Sequence, residues 1–166
     1  MPWLAMTTAG QESALNRRNP MLYFAYGSNL DRAQMRARCP GATVEARATL
    51  SGHTLVFGGF SHRWGGAVAN LQRVRGAHVE GLLYRLTPED LRALDVFEGH
   101  PFAYRRAIRL VTDRAGHRRR ALVYLQPEGR FESWPPAVRY FRVLWHAYGR
   151  LGFNRAALSG ALGGAA

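Results

Sequence analysis

The feature that most restricts the architecture of this chain is a succession of short apolar segments with strand character, separated by glycine and proline turns. LYFAY (22–26) reads as a buried strand ended by the Gly-Ser-Asn that follows. TVEARATL (43–50) and HTLVFGGF (53–60) read as two strands joined by a Ser51-Gly52 turn. A weaker signal covers 67–73, and VEGLLYRL (79–86) sets Leu82, Tyr84 and Leu86 on one face by alternation. YRRAIRLV (104–111) and RRALVYL (119–125) flank a turn at Asp113–His117. Few helices interrupt this series. DRAQMRAR (31–38) is a short one, stopped by Cys39-Pro40-Gly41. Thr87-Pro88-Glu89-Asp90 opens a second, with Thr as N-cap, Pro in the first position and acids in the first turn. It ends near Glu98, with Gly99 as its breaker. A third follows Pro135-Pro136, with Val138, Phe141, Trp145 and Tyr148 at helical spacing. The mixture predicts an α+β fold on a curved or closed, mainly antiparallel sheet.

With 166 residues, 47% of them hydrophobic, the chain suits one domain with a sizeable core. Residues 1–20 carry no sustained periodicity and read as a flexible extension before a domain at 21–155. The Ala/Gly-rich stretch 156–166 is expected to fray as a tail. Arg17-Arg18 superficially resembles a twin-arginine signal, but the apolar stretch Met21–Tyr26 is too short for one and no A-x-A site follows. No apolar run approaches the roughly 20 residues that span a bilayer, so no membrane partner is expected and the location is read as cytoplasmic.

All 23 basic residues are arginine, and the formal net charge is +12. Exclusive use of arginine, beside abundant Ala, Gly and Pro, reads as the codon bias of a GC-rich bacterial genome rather than as an evolved phosphate-binding surface. The resulting field still attracts small anions. The single cysteine, Cys39, excludes an intramolecular disulfide and reads as a buried thiol. Six scattered histidines form neither HxH nor HExxH, so a zinc site is not expected. There is no GxxxxGKS loop and no GxGxxG, which removes phosphate-loop hydrolysis and Rossmann dinucleotide binding.

Two places remain for chemistry. In Tyr26-Gly27-Ser28-Asn29-Leu30 a strand ends and a helix begins, with Gly27 expected at positive φ. Such a turn can gather backbone N–H groups into an anion-binding nest backed by a helix N-terminus. The same residues also suit an ordinary turn capped by Ser28 or Asn29. Glu98 lies at a helix C-terminus, where the macrodipole disfavours negative charge, between apolar Val96-Phe97 and Pro101-Phe102. Both effects raise a carboxyl pKa toward acid/base service unless Arg105 or Arg106 folds back. A solvated helix-end glutamate is the other reading.

Taken in order, LYFAYGSNL, RCPGA, WGGAVANL, VEGLLYRLTPEDLRALDVFEG and a later tyrosine resemble the gamma-glutamylcyclotransferase-like (AIG2-like) family, from about Leu22 to Phe153. The resemblance implies a small mixed, mainly antiparallel barrel flanked by a few helices. It implies that Tyr26, Gly27, Ser28, Asn29 and Leu30 cradle a glutamyl moiety, and that Glu98 is the catalytic general acid/base. Tyr104 matches a family tyrosine, a hydrogen-bonding or packing residue at the cavity. The activity implied is cyclisation of a small gamma-glutamyl amide to 5-oxoproline with release of an amine or amino acid. It needs no cofactor, no metal and no covalent nucleophile. FESWPP (131–136) departs from the family's frequent YES-PP, so Phe131 lacks a hydroxyl found in many members. The competing reading is an inactive basic module that binds nucleic acid or another anion through Arg118-Arg119-Arg120. Nucleic acid is otherwise not an expected partner, and the oligomeric state is left open.

Overall fold

The computed structural model describes residues 21–130 and 132–164; the extension read over 1–20, and Phe131, lie outside them. Five strands form the frame: β1 (Met21–Ala25), β2 (Thr43–Ser61), β3 (Gly66–Leu86), β4 (Arg105–Asp113) and β5 (Arg118–Leu125). They close into a barrel in the order β1-β3-β2-β4-β5. Every pairing is antiparallel except the closure, where Tyr23 of β1 meets Leu122 of β5 in parallel. Closure pairs the edges of the frame near its base, while the outer β2–β3 ribbon, 53–61 against 66–73, meets the segment 133–136 through isolated bridges at Gly58 and Ala67. Phe24, Phe57, Leu83, Val111 and Val123 are fully buried in its core. Among the described residues no helix is long and apolar enough to cross a membrane.

Four helices surround the barrel: α1 (Arg32–Arg38), α2 (Pro88–Glu98), α3 (Val138–Leu151) and α4 (Ala156–Gly163). Three departures from the sequence reading have physical causes. Ser51-Gly52 is a bulge inside one continuous strand, not a turn between two. The β2–β3 register jumps from Ser51↔His78 to His53↔Arg73 there, so both strands bend together. A glycine inside an apolar run marks either event, and only the partner strand decides. In α3 the buried face is Tyr140, Leu144, Ala147 and Tyr148, while Val138 is 69% exposed. That face and the expected one lie a residue apart on the same helix, and Tyr140 is pinned inward by the Ala69 N–H, 2.9 Å from its hydroxyl. Over Ala156–Gly163 the expected loose tail is instead a helix that packs on β2 with Leu158 fully buried.

Candidate active site

Glu98 closes a helix with strong signals at both ends. Thr87 accepts the Asp90 N–H while the Asp90 carboxylate accepts the Thr87 N–H, a complete capping box, with Pro88 next to the cap. Gly99 terminates the helix in the left-handed region at φ 62°, where a side chain would be strained. Asp90 also accepts the Gly41 N–H at 3.1 Å, which docks the segment after α1 onto the start of α2. The two helices therefore lie together, and Asn29 reaches Glu98.

Asn29 is the hub of the site. Its Nδ2 donates to Glu98 Oε1 at 3.1 Å and to the Tyr23 hydroxyl at 3.0 Å. Its Oδ1 accepts from Gln34 Nε2 at 3.2 Å and Arg38 Nη1 at 3.1 Å. Two donors on the oxygen fix the amide orientation, so the nitrogen has to face the carboxylate. Burial pushes the Glu98 carboxyl up to about 7, against the opposing pull of Arg38, the Asn29 hydrogen bond and Arg63. The two arginines suspected of cancelling this act elsewhere. Arg106 pairs with Asp95, and Arg105 donates to the Pro101 carbonyl at 3.4 Å.

The loop 26–30 differs from the nest read in the sequence. Gly27 has φ −110° and ψ −140°, so positive φ is not what requires glycine. Close approach is: a Cβ there would lie 3.2 Å from the Tyr140 hydroxyl and 3.4 Å from Ala69 Cβ. The α1 N-terminus is capped by Asp31, which accepts the Gln34 N–H at 2.8 Å, rather than by Ser28 or Asn29, and so faces a carboxylate already. Ser28 Oγ accepts from Gln34 Nε2 at 2.8 Å. The Gly27, Ser28 and Asn29 N–H groups donate to no backbone carbonyl among the described residues. Leu30 does not join the site; it is 1% exposed and packs in the core.

Glu98, Ser28, Tyr104 and Tyr140 line the wall shared by two connected spaces. The inner one is a niche of about 40 Å³ ringed by Tyr23, Tyr26, Tyr104, Tyr124 and Tyr140. The outer one is a basin of about 490 Å³ that opens past Phe60, Arg63 and Phe102. Most phenolic protons are already committed. Tyr26 donates to the Tyr124 carbonyl, Tyr104 to the Ala69 carbonyl at 2.6 Å, and Tyr124 to Asp95 Oδ1 at 2.7 Å. Tyr23 and Tyr140 accept hydrogen bonds, which leaves their own protons free to turn into the niche. Burial raises all five phenols, so they are neutral donors.

Tyr23, Arg38, Arg63 and Tyr140 thus belong to the site although the sequence reading passed over them. The i+4 spacing of Tyr140 and Leu144 was the available signal for Tyr140. A half-buried carboxyl poised near neutrality, two N–H groups without a backbone carbonyl partner (Gly27 and Asn29) and neutral phenols suit proton transfer on a small polar substrate. Cys39 is no rival nucleophile: it lies behind Asp90, and burial pushes its thiol up to about 12. No group of three or more His, Cys, Asp or Glu among the described residues is placed to hold a metal. The triple-arginine run is divided by strand alternation. Arg119 pairs with Glu45 and Asp113, while Arg118 and Arg120 point outward.

A family model described as gamma-glutamyl cyclotransferase, AIG2-like matches residues 23–141. The gamma-glutamylcyclotransferase of Mus musculus is 33% identical over 141 residues, covering 82% of this chain and 71% of the mouse protein. That of Homo sapiens is 30% identical over 128 residues, covering 74% of this chain and 67% of the human protein. Among solved structures, a gamma-glutamyl cyclotransferase aligns with a TM-score of 0.78 at 26% identity, covering 86% of each chain.

Proposed function

Because the chain belongs to the gamma-glutamyl cyclotransferase, AIG2-like family and is a gamma-glutamylcyclotransferase-type enzyme, we propose that Glu98 is its general acid/base and that cyclisation takes place at the wall between niche and basin. The observation that carries this reading is the Glu98 carboxyl itself: partly buried, raised to about 7, and fixed by Asn29 at the boundary of both spaces.

The substrate is a small gamma-glutamyl amide. Its own α-amine attacks its γ-carbonyl carbon, the new C–N bond closes the lactam ring, and the amide C–N bond breaks to release an amine. The first requirement is a folded, near-attack conformation, which the narrow shared wall would impose. Ionised Glu98 takes a proton from the α-ammonium, freeing the lone pair for attack. The carboxylic acid so formed returns that proton to the departing nitrogen, the ring nitrogen gives up its second ammonium-derived proton to the released amine, which leaves as an ammonium, and the carboxylate is regenerated. The Gly27 and Asn29 N–H groups, which pair with no backbone carbonyl among the described residues, would serve the substrate carboxylate or the developing oxyanion, and the Tyr23 and Tyr140 hydroxyls supply neutral donors beside them. Tyr26 and Tyr104 shape the niche through their backbone hydrogen bonds. A carboxyl at its ordinary acidity would be a weaker proton donor to the leaving nitrogen, so the raised value serves the second half of the cycle.

Every group in this reading lies within residues 21–155, which we assign as the catalytic domain. The buried free thiol of Cys39 and the all-arginine composition support a bacterial, cytoplasmic setting. The test is Glu98→Gln, nearly isosteric and still able to accept from Asn29 but unable to cycle a proton. Production of 5-oxoproline should fall about a hundredfold or more, with folding intact. Turnover near that of the parent would remove Glu98 from the mechanism.

A further inference from the structure

The basin is far larger than the niche, about 490 Å³ against about 40 Å³, and the lining on its outer side has a chemistry of its own. Arg63, exposed in the β2–β3 connection, sets its guanidinium 4.9 Å from the centre of the Phe97 ring, and Arg38 sets its own at 4.8 Å. Neither guanidinium joins an ion pair among the described residues. Glu98 is the one acidic residue lining the basin. Arg38 is engaged by Asn29, whereas the Arg63 side chain has no hydrogen-bond partner among the described residues. Its backbone is nevertheless held, because Arg139 donates to the Arg63 and Trp64 carbonyls. An anchored loop therefore presents an open guanidinium to the basin. Next to it stand Phe60 and Phe102, 64% and 74% exposed, an apolar rim that a soluble surface ordinarily covers.

Resting on the reading that Glu98 cyclises the substrate at the inner wall, we propose that Arg63, Phe60 and Phe102 select the released amino acid: Arg63 reads its α-carboxylate, and Phe60 and Phe102 favour a large apolar side chain. A guanidinium fork suits a carboxylate by paired, charge-assisted hydrogen bonds. A simple amine offers Arg63 nothing to bind. A polyamine would bring further positive charge to a rim that already carries Arg38 and Arg63, with only Glu98 to offset them.

The experiment compares three substrates that differ by one group at a time: gamma-glutamylphenylalanine, gamma-glutamylphenethylamine, which lacks the carboxylate, and gamma-glutamylalanine, which lacks the ring. In the parent enzyme, loss of the carboxylate should lower kcat/KM on the order of tenfold to a hundredfold, the scale of a charge-assisted hydrogen bond. Loss of the ring should lower it about tenfold. Arg63→Ala, at an exposed loop position, should bring the phenylalanine and phenethylamine compounds toward parity, chiefly through KM, and Arg63→Lys should keep part of the preference. Equal turnover of those two compounds by the parent, a preference that survives in Arg63→Ala, or an alanine compound as good as phenylalanine would overturn the proposal while leaving the role of Glu98 untouched. Failure of all three compounds to give 5-oxoproline would overturn the reading of the site, and this inference with it.

Discussion

The position of Glu98 makes a quantitative claim about stability that is separate from catalysis. Its folded-state value of about 7 lies above the 4.5 of an ordinary glutamate, so the folded protein holds a proton that the unfolded chain has released between those values. Stability conferred by that proton is fully present below about 4.5 and is lost as the pH rises through about 7. At roughly 1.4 kcal/mol per pH unit, ionising Glu98 in the fold costs about 2–3 kcal/mol above neutrality, the lower part of the range allowing for the partly wetted side chain. Glu98→Gln removes that cost and keeps the acceptor that Asn29 bonds. The variant should therefore match the parent at pH 4 and exceed it at pH 8.5, by roughly 5–10 °C in Tm for a domain of this size. Urea titrations at both pH values give the same comparison as free energies. A variant that is equally stable relative to the parent at both pH values, or less stable at pH 8.5, would refute the claim that Glu98 is ionised against its surroundings.

Four further outcomes follow from named contacts. The kcat/KM profile should rise with pH through about 7, since only ionised Glu98 can accept the ammonium proton, and Arg38→Gln should move that limb upward because Arg38 is the largest charge opposing the burial; an unmoved limb would refute the coupling. Gly27→Val should lower turnover and cost about 1–3 kcal/mol in denaturant melts, since its Cβ would press on the Tyr140 hydroxyl and Ala69, and parent-like behaviour would show that this approach is not tight. Leu158→Ala should cost about 2–5 kcal/mol in the same melts, because α4 is core rather than tail, and a change within error would return the segment to a fraying end. An N-acetylated gamma-glutamyl dipeptide should be inert, as its α-nitrogen is no longer nucleophilic; release of N-acetylglutamate would indicate hydrolysis instead.

Legibility in the sequence followed the range of the interactions. The α2 helix could be read nearly to the residue, because Thr87, Asp90, Pro88 and Gly99 are local signals that the chain satisfies by itself. The strands were readable as strands, but Ser51-Gly52 was not readable as a bulge, since a bulge is defined by Arg73–His78 on the neighbouring strand. Glu98 could be picked out by its helix end and apolar flanks. What sets its chemistry could not, because Asn29, Arg38 and Arg63 lie 69, 60 and 35 residues away along the chain. Gly27 was identified as a position needing glycine, though for the wrong reason: backbone conformation is a local property, while the Tyr140 hydroxyl that crowds it arrives from α3.

The same long-range contacts explain how one carboxyl is held near neutrality in a protein with so many arginines. Among the described residues Glu98 accepts a single hydrogen bond, from Asn29, and the Arg38 guanidinium donates to Asn29 Oδ1 rather than to the carboxylate. Arg106, close along the chain, is diverted to Asp95, and Tyr124 donates to that aspartate as well. Asp95 thereby draws away a cation and a phenol that would otherwise be available to an anion one turn of α2 further on. A direct arginine pair would pull the carboxyl back below its ordinary value, as Arg85 and Arg119 do for Glu45 on the surface. An acid that weakly basic would rarely carry the proton that the leaving nitrogen needs. Asp95→Asn tests this division directly: it frees Arg106, so the acid limb of the rate profile should fall below about 7 even though position 95 does not line the niche or the basin. A limb that stays in place while stability drops would show that Asp95 serves the fold alone.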